Sequence, residues 1–195
     1  MRKLGLTLLL LGAAVLGFNT SASAQSNIHV VQKGDTLWKI SNTYGVSLLQ
    51  TMKLNHITSP LIYPGQRVTL PTGITREELD LLARLVHAEA KGEPYAGKVA
   101  VATVVLNRVD HPDFPNTIKG VIYEKSNGYY AFSPVANGQI NIPADADAYR
   151  AVKEALAFRG QGSGSLFFYN PDKTTSQWIR SREVTVTIGN HVFAR

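Results

Sequence analysis

Cysteine is absent from the 195 residues, which excludes a disulfide framework and leaves packed cores to hold any folded unit together. Long apolar runs are scarce. The one uncharged stretch near the start, Leu4 to Phe18, is about 15 residues, short of the roughly 20 that a helix needs to span a bilayer. Met1-Arg2-Lys3 precedes it and Ala22-Ser23-Ala24 follows it. Basic start, apolar middle and small-residue cleavage site make residues 1–24 a secretory signal peptide with Gln25 as the first mature residue; the alternative is an uncleaved anchor. No other stretch reads as transmembrane, so no membrane helix is expected once the signal is removed. Paired metal-ligand spacing is missing as well: no His-Glu-x-x-His occurs, and we expect neither metal nor cofactor.

Acidic residues are scarce in one part only. His29 to Pro71 holds Lys33, Lys39, Lys53 and Arg67 against the single acid Asp35, whereas Ile74 to Arg195 is nearly balanced. An anionic surface is therefore the expected neighbour of the first part. Nucleic acid is one such surface, but an exported chain seldom meets it; a cell wall is another. Nothing in the sequence fixes an oligomeric state.

The pattern divides the mature chain into residues 25–71 and 74–195. In the first unit Val30 and Val31 lie in a short strand, and Lys33-Gly34-Asp35-Thr36 is a turn in which Asp35 or Thr36 caps a helix carrying Leu37, Ile40 and Tyr44. Gly45 stops that helix. Ser47 caps another that ends at Asn55, and Arg67 to Leu70 closes the unit as a strand. Pro71-Thr72-Gly73 is a short boundary, so the two units should sit close together.

The second unit opens with a helix from Arg76 to Lys91. Thr75 and Glu78 form a capping box at its start, while Gly92 and Pro94 stop it. Leu79, Leu82, Ala83, Val86 and Ala90 make its apolar stripe, and on a helical wheel Glu89 falls between Leu82 and Leu85, beside the stripe rather than opposite it. A carboxyl there is partly desolvated, which raises its pKa and keeps a proton available near neutrality, as a general acid requires. The bland alternative is an ion pair at the core rim. Next comes a helix over Ala96 to Val109, apolar on nearly every side and hence central. Asn116 can cap a short helix through Ile118, Val121 and Ile122. Ser126 to Ile140 reads as an aromatic-rich loop of the kind that binds ligands, and a helix runs from Asp145 to about Arg159. Leu166 to Tyr169 is a strand, and Val184 to Ile188 turns through Gly189-Asn190 into His191-Val192-Phe193 as a hairpin.

Two resemblances follow from runs of residues. The stretch HVVQKGDTLWKISNTYGVSLLQTMKLNHITSPLIYPGQRVTLP resembles a LysM module over its whole length. That likeness implies a β-α-α-β fold binding N-acetylglucosamine-containing chains, chiefly peptidoglycan. Its groove would be lined by Gly34, Asp35, Thr36 and Leu37 on one side and by Ser59, Pro60, Leu61 and Ile62 on the other. From about Leu82 onward, HAEAKGEPYAGKVAVATVVLNRV, FPNTIKGVIYE, FSPVANGQI, LFFYNP, WIRSR and IGNHVFA are similar to the catalytic domain of spore cortex-lytic enzymes of the SleB/CwlJ type.

The implied fold is α+β overall: a small LysM domain plus a mostly helical, lysozyme-like domain with a small C-terminal β element. The implied activity is glycan-strand cleavage by a lytic transglycosylase, secreted to the cell wall or spore envelope. In it Glu89 is the catalytic acid, and the substrate's own N-acetyl or C6 hydroxyl group replaces a second carboxylate. Glu93, Phe132, Ser133, Tyr169, Asn170 and Trp178 are carried over as substrate-binding residues; for Glu93, capping the following helix is an equal alternative. The cortex-lytic enzymes often carry a different N-terminal wall-binding module, so cortex and vegetative wall both remain open as substrate. Rival readings are a hydrolytic muramidase, a zinc amidase using His87, His111 and His191 with Glu89, and a non-catalytic wall-binding or coat protein.

Overall fold

Two hydrophobic cores organise the computed structural model, which describes residues 27–195. The signal-peptide reading of residues 1–24 lies outside the described residues. Among the described residues, no helix is long and apolar enough to cross a membrane.

The smaller core consists of Val31, Leu37, Ile40, Val46, Val68 and Leu70. Around it run β1 (Ile28–Val30), α1 (Leu37–Tyr44), α2 (Leu48–Leu54) and β2 (Arg67–Thr69), with β1 and β2 antiparallel. Local chemistry fixes the ends. Thr36 Oγ1 accepts the Lys39 N–H, Gly45 closes α1 in the left-handed conformation, and Ser47 Oγ accepts the Gln50 N–H. Asp35 is not the cap. Its carboxylate instead accepts from the Gln32 N–H and pairs with His29 Nε2, both at 2.8 Å. Tyr44 is exposed rather than inward, its hydroxyl 3.2 Å from His29 Nδ1. The Asn55 side chain stitches α2 to β2, donating to the Thr69 carbonyl and accepting its N–H.

The larger core is built on α3 (Arg76–Glu89) and α4 (Tyr95–Asp110). At the head of α3 both halves of the Thr75–Glu78 capping box form. The helix stops at Glu89, with Ala90 as its cap, rather than at Lys91. Helix α4 buries seven of its 16 residues and packs against α3, α5 (Ile118–Ile122) and, further along, α7 (Ala146–Ala157). Thr117, not Asn116, caps α5, its Oγ1 accepting the Gly120 N–H. The stretch read as a loop folds more regularly than its composition suggests. Lys125–Ser126 (β3) and Tyr129–Tyr130 (β4) pair through Asn127-Gly128, both at positive φ, followed by α6 (Ser133–Ala136) and a 3-10 turn at Gln139–Asn141. Asp145 caps α7 by accepting the Ala148 N–H. Then come β5 (Phe167–Tyr169), α8 (Gln177–Arg180), β6 (Val184–Ile188) and β7 (His191–Ala194), the strands forming an antiparallel sheet ordered β5-β7-β6. The class is α+β, mostly helical with small sheets.

The two cores are docked on each other. Helix α1 packs on α7, the Ser47 hydroxyl donates to the Arg159 carbonyl at 3.2 Å, and the Trp38 and Phe158 rings lie 6.4 Å apart. Arg159 is held in turn by two hydrogen bonds to Asp110 at the end of α4. Among the first unit's expected groove residues, Leu37 is 1% exposed and belongs to the small core, and Ile62 packs against it. The Leu37 side chain is thus spent on the core, while Ile62 stays half-buried. Gly34, Thr36, Ser59, Pro60 and Leu61 are exposed, and Asp35 is engaged by His29 and Gln32.

Candidate active site

A cavity of about 550 Å³ opens where the last turn of α3 meets the start of α6 and the β5–β7 edge of the sheet. Glu89, Phe132, Ser133, Tyr169 and Asn170 all line it, together with Ala88, Arg108, Ala131, Phe168, Lys173, Thr174 and His191. Five of the carried-over residues are thus brought together from three separate segments. Glu89 reaches this place because the capping box fixes where α3 starts and its stripe of Leu82, Leu85 and Val86, all fully buried, fixes which way the last turn faces. Burial alone pushes its carboxyl up from 4.5 to about 7. Among the described residues no ion-pair partner reaches it, so the bland alternative of a rim salt bridge is not what the structure holds. Among the described residues, Glu89 is also the only carboxyl group lining the cavity.

Glu93 faces elsewhere. Its carboxylate accepts the Asn190 N–H at 2.9 Å and the Asn190 side-chain amide at 3.1 Å. Partial burial works to raise its pKa, but these two hydrogen bonds outweigh it and hold the group below its usual value. The hairpin fits so closely here that a Cβ on Gly189, at φ +57°, would lie 2.2 Å from the Glu93 carboxylate. Glu93 therefore ties β6–β7 to the α3–α4 connection and is not among the residues lining the cavity. Trp178 also stands outside that set. It is 54% exposed, edge-on to Phe167 at 5.2 Å, with the Arg182 guanidinium 4.2 Å over its ring.

Arg108 and His191 are the notable additions. Arg108 is only 8% exposed, its Nε donating to the Leu166 carbonyl at 2.8 Å and its guanidinium between 5.0 and 5.5 Å from the Phe114, Phe132 and Phe167 rings. His191, equally buried, packs against Phe168, and its Nδ1 has no hydrogen-bond partner among the described residues. Burial lowers its pKa and favours the neutral ring. A signal for Arg108 existed: it is a cation inside a helix otherwise apolar on nearly every side. The three histidines of the amidase reading go separate ways. His87 lies against Asp145, His111 against Asp113 and His191 in the cavity. No group of three or more His, Cys, Asp or Glu able to hold a metal forms among the described residues.

Residues 92–194 match the Cell Wall Hydrolase family model, and residues 29–71 match the LysM domain. The chain belongs to the cell wall hydrolase family. The matched family segment opens at Gly92, just past Glu89. Among curated relatives, the spore cortex-lytic enzyme of Halalkalibacterium halodurans is 44% identical over 124 residues, covering 64% of this chain and 36% of its own length. That of Bacillus cereus is 41% identical over 126 residues, covering 65% of this chain and 47% of its own length. The chain thus spans less than half the length of these relatives. Among solved structures, the catalytic domain of the germination-specific lytic transglycosylase SleB from Bacillus anthracis is similar at 41% identity. It matches with a TM-score of 0.57, over 64% of this chain and 99% of that one.

Proposed function

We propose that this cell wall hydrolase cleaves the glycan strand of peptidoglycan as a lytic transglycosylase, with Glu89 as the general acid. The observation that carries the reading is a solitary carboxyl, raised to about 7 by burial, in a cavity that no second carboxylate lines among the described residues. Two-carboxylate glycosidases need a base or nucleophile across the scissile bond. Glu93, the nearest candidate in sequence, is held by Asn190. In the proposed reaction Glu89 gives its proton to the glycosidic oxygen, the C1–O bond breaks, and positive charge develops at C1 of the muramic residue. The C6 hydroxyl of that sugar then bonds to C1, and its proton returns to the Glu89 carboxylate. One new end is thus a 1,6-anhydro sugar and the other a free hydroxyl, with no water consumed. Phe132 and Tyr169 supply apolar walls, while Ser133, Asn170 and Thr174 supply hydrogen-bonding groups of the kind sugar hydroxyls require. The printed name of the Bacillus anthracis structure, a lytic transglycosylase, supports the same reading.

The LysM segment holds the enzyme on its polymer through the exposed turns at Gly34–Thr36 and Ser59–Leu61, so we place its action outside the cytoplasm, on cell wall or spore envelope. The test is the mass of the products from purified peptidoglycan digested in heavy-oxygen water. Anhydro ends lacking solvent oxygen are expected. Hydrated, labelled ends would make the protein a muramidase or glucosaminidase instead, and intact glycan with freed peptides would make it an amidase.

A further inference from the structure

Arg108 is a buried cation without a buried anion. Its side chain is more than nine-tenths buried, and among the described residues no carboxylate comes within ion-pairing distance; Glu124 is the one acid whose charge is felt there. Only Nε is committed, to the Leu166 carbonyl, so the two terminal nitrogens, with four N–H donors, have no protein acceptor in the described structure. Those terminal nitrogens face the open cavity, while burial of the rest of the side chain is unfavourable to the charge and holds its pKa below the ordinary value. The aromatic faces of Phe114, Phe132 and Phe167 offset part of that loss. They accept no in-plane hydrogen bonds.

The cavity that Arg108 lines has the same bias throughout. Lys173 lies at its edge, and its single carboxyl, Glu89, is shifted by desolvation alone, with no contribution from Arg108. The cavity combines two cations with one group that is largely uncharged below neutrality, and its natural complement is an anion on the substrate.

Resting on the reading of this site as a glycan-strand cleft, we propose that Arg108 binds a carboxylate of the strand next to the scissile bond, making the enzyme selective for acidic muramic residues over their neutral derivatives. A planar guanidinium matches a carboxylate bidentately, which lysine cannot reproduce. Two carboxylate sources exist on such a strand, the lactyl group of muramic acid and the attached peptide.

The test changes the substrate first and the protein second, using the full chain throughout. Glycan strands stripped of peptide, and so bearing free lactyl carboxylates, are compared with the same strands after conversion to methyl amides. Peptide-bearing strands are compared with their amidated form in the same way. The pair showing the larger effect identifies the source. Wild type should cleave the carboxylate form with a KM about 10- to 100-fold lower than the amide, the range for one hydrogen-bonded charge contact. In Arg108→Gln that ratio should fall towards one, and Arg108→Lys should recover only part of it. Equal wild-type cleavage of acid and amide in both pairs would overturn the proposal while leaving the Glu89 chemistry standing. A ratio that persists in Arg108→Gln would also overturn it, because a purely structural arginine lowers both rates together. If neither strand is cut at all, the glycan reading and this one fail together. The wild-type arm can overturn the proposal even if a variant folds poorly, and Arg108→Lys, which keeps the charge, separates the guanidinium's contact from that of Lys173.

Discussion

Glu89→Gln should make the protein inactive and more stable at the same time, and the pH dependence of the gain follows from the structure. Burial raises the folded-state carboxyl from 4.5 to about 7, so between those values the folded chain binds a proton that the unfolded chain does not. Stability attributable to Glu89 therefore falls as pH rises through this window. Below about 4.5 both states are protonated and the residue is neutral to stability. Well above 7 the full difference applies, and at about 1.4 kcal/mol for each pH unit it destabilises the native state by about 3 kcal/mol. Glutamine keeps the shape without the ionisation. Urea or thermal unfolding of both proteins should give matching stabilities near pH 4, diverging to about 3 kcal/mol in the variant's favour near pH 8.5. For a chain of this size that is about 6–12 °C in melting temperature. Over the same range wild-type kcat/KM should fall above about pH 7 as the acid form disappears, and the variant should lose about 100- to 10,000-fold in rate. A variant less stable than wild type at pH 8.5 would refute the reasoning, because the ionised carboxylate would then be making favourable contacts instead of sitting desolvated.

Glu93→Gln should destabilise by about 1 kcal/mol at neutral pH, since it exchanges one charge-assisted hydrogen bond to Asn190 for a mismatched amide. Because the Glu93 pKa is lowered by folding, this loss should shrink as pH falls through the carboxylate range, and glycan cleavage measured well below the melting temperature should drop less than tenfold. The docking of the first unit predicts that Leu49→Asp, which sets a charge opposite Gly160, will loosen the LysM module. Proteolysis near Thr72-Gly73 should then quicken about tenfold, with unchanged cleavage of short soluble muramyl oligomers; unaltered proteolysis would show that the contact contributes nothing to docking.

Glu89 was legible in the sequence because everything that positions it is local. A capping box, a stripe with helical period and a stop at Gly92 lie within one segment, and together they fix both the register and the facing of one side chain. The LysM and hydrolase runs were legible for a similar reason, as dense ordered blocks. Glu93 was not, since Gly92 and Pro94 break the period on either side and its partner, Asn190, is brought near only by the closing hairpin. Arg108 was hidden differently. Periodicity describes α4 as apolar on nearly every side, and of the residues that surround its guanidinium only Phe114 is near in sequence, while Phe132, Leu166 and Phe167 come from far along the chain. The β3–β4 hairpin had its Asn-Gly signal, but strands of two residues show no alternation to accompany it.

Glu89 and Glu93 are the same residue type four positions apart, yet folding moves their pKa values in opposite directions. Under the proposed reaction the difference separates a group kept for chemistry from one kept for structure. A structural carboxylate is stabilised as an anion, so its neutral replacement weakens the fold wherever the anion would exist. An acid held ready to give up a proton is destabilised as an anion, and its neutral replacement strengthens the fold in the range where wild type has begun to ionise. The two glutamine variants should therefore lie on opposite sides of wild type at pH 8.5 and draw together as the pH is lowered. The sign of that difference tests whether Glu89 is held as the neutral acid that the proposed reaction needs, before a substrate is in hand.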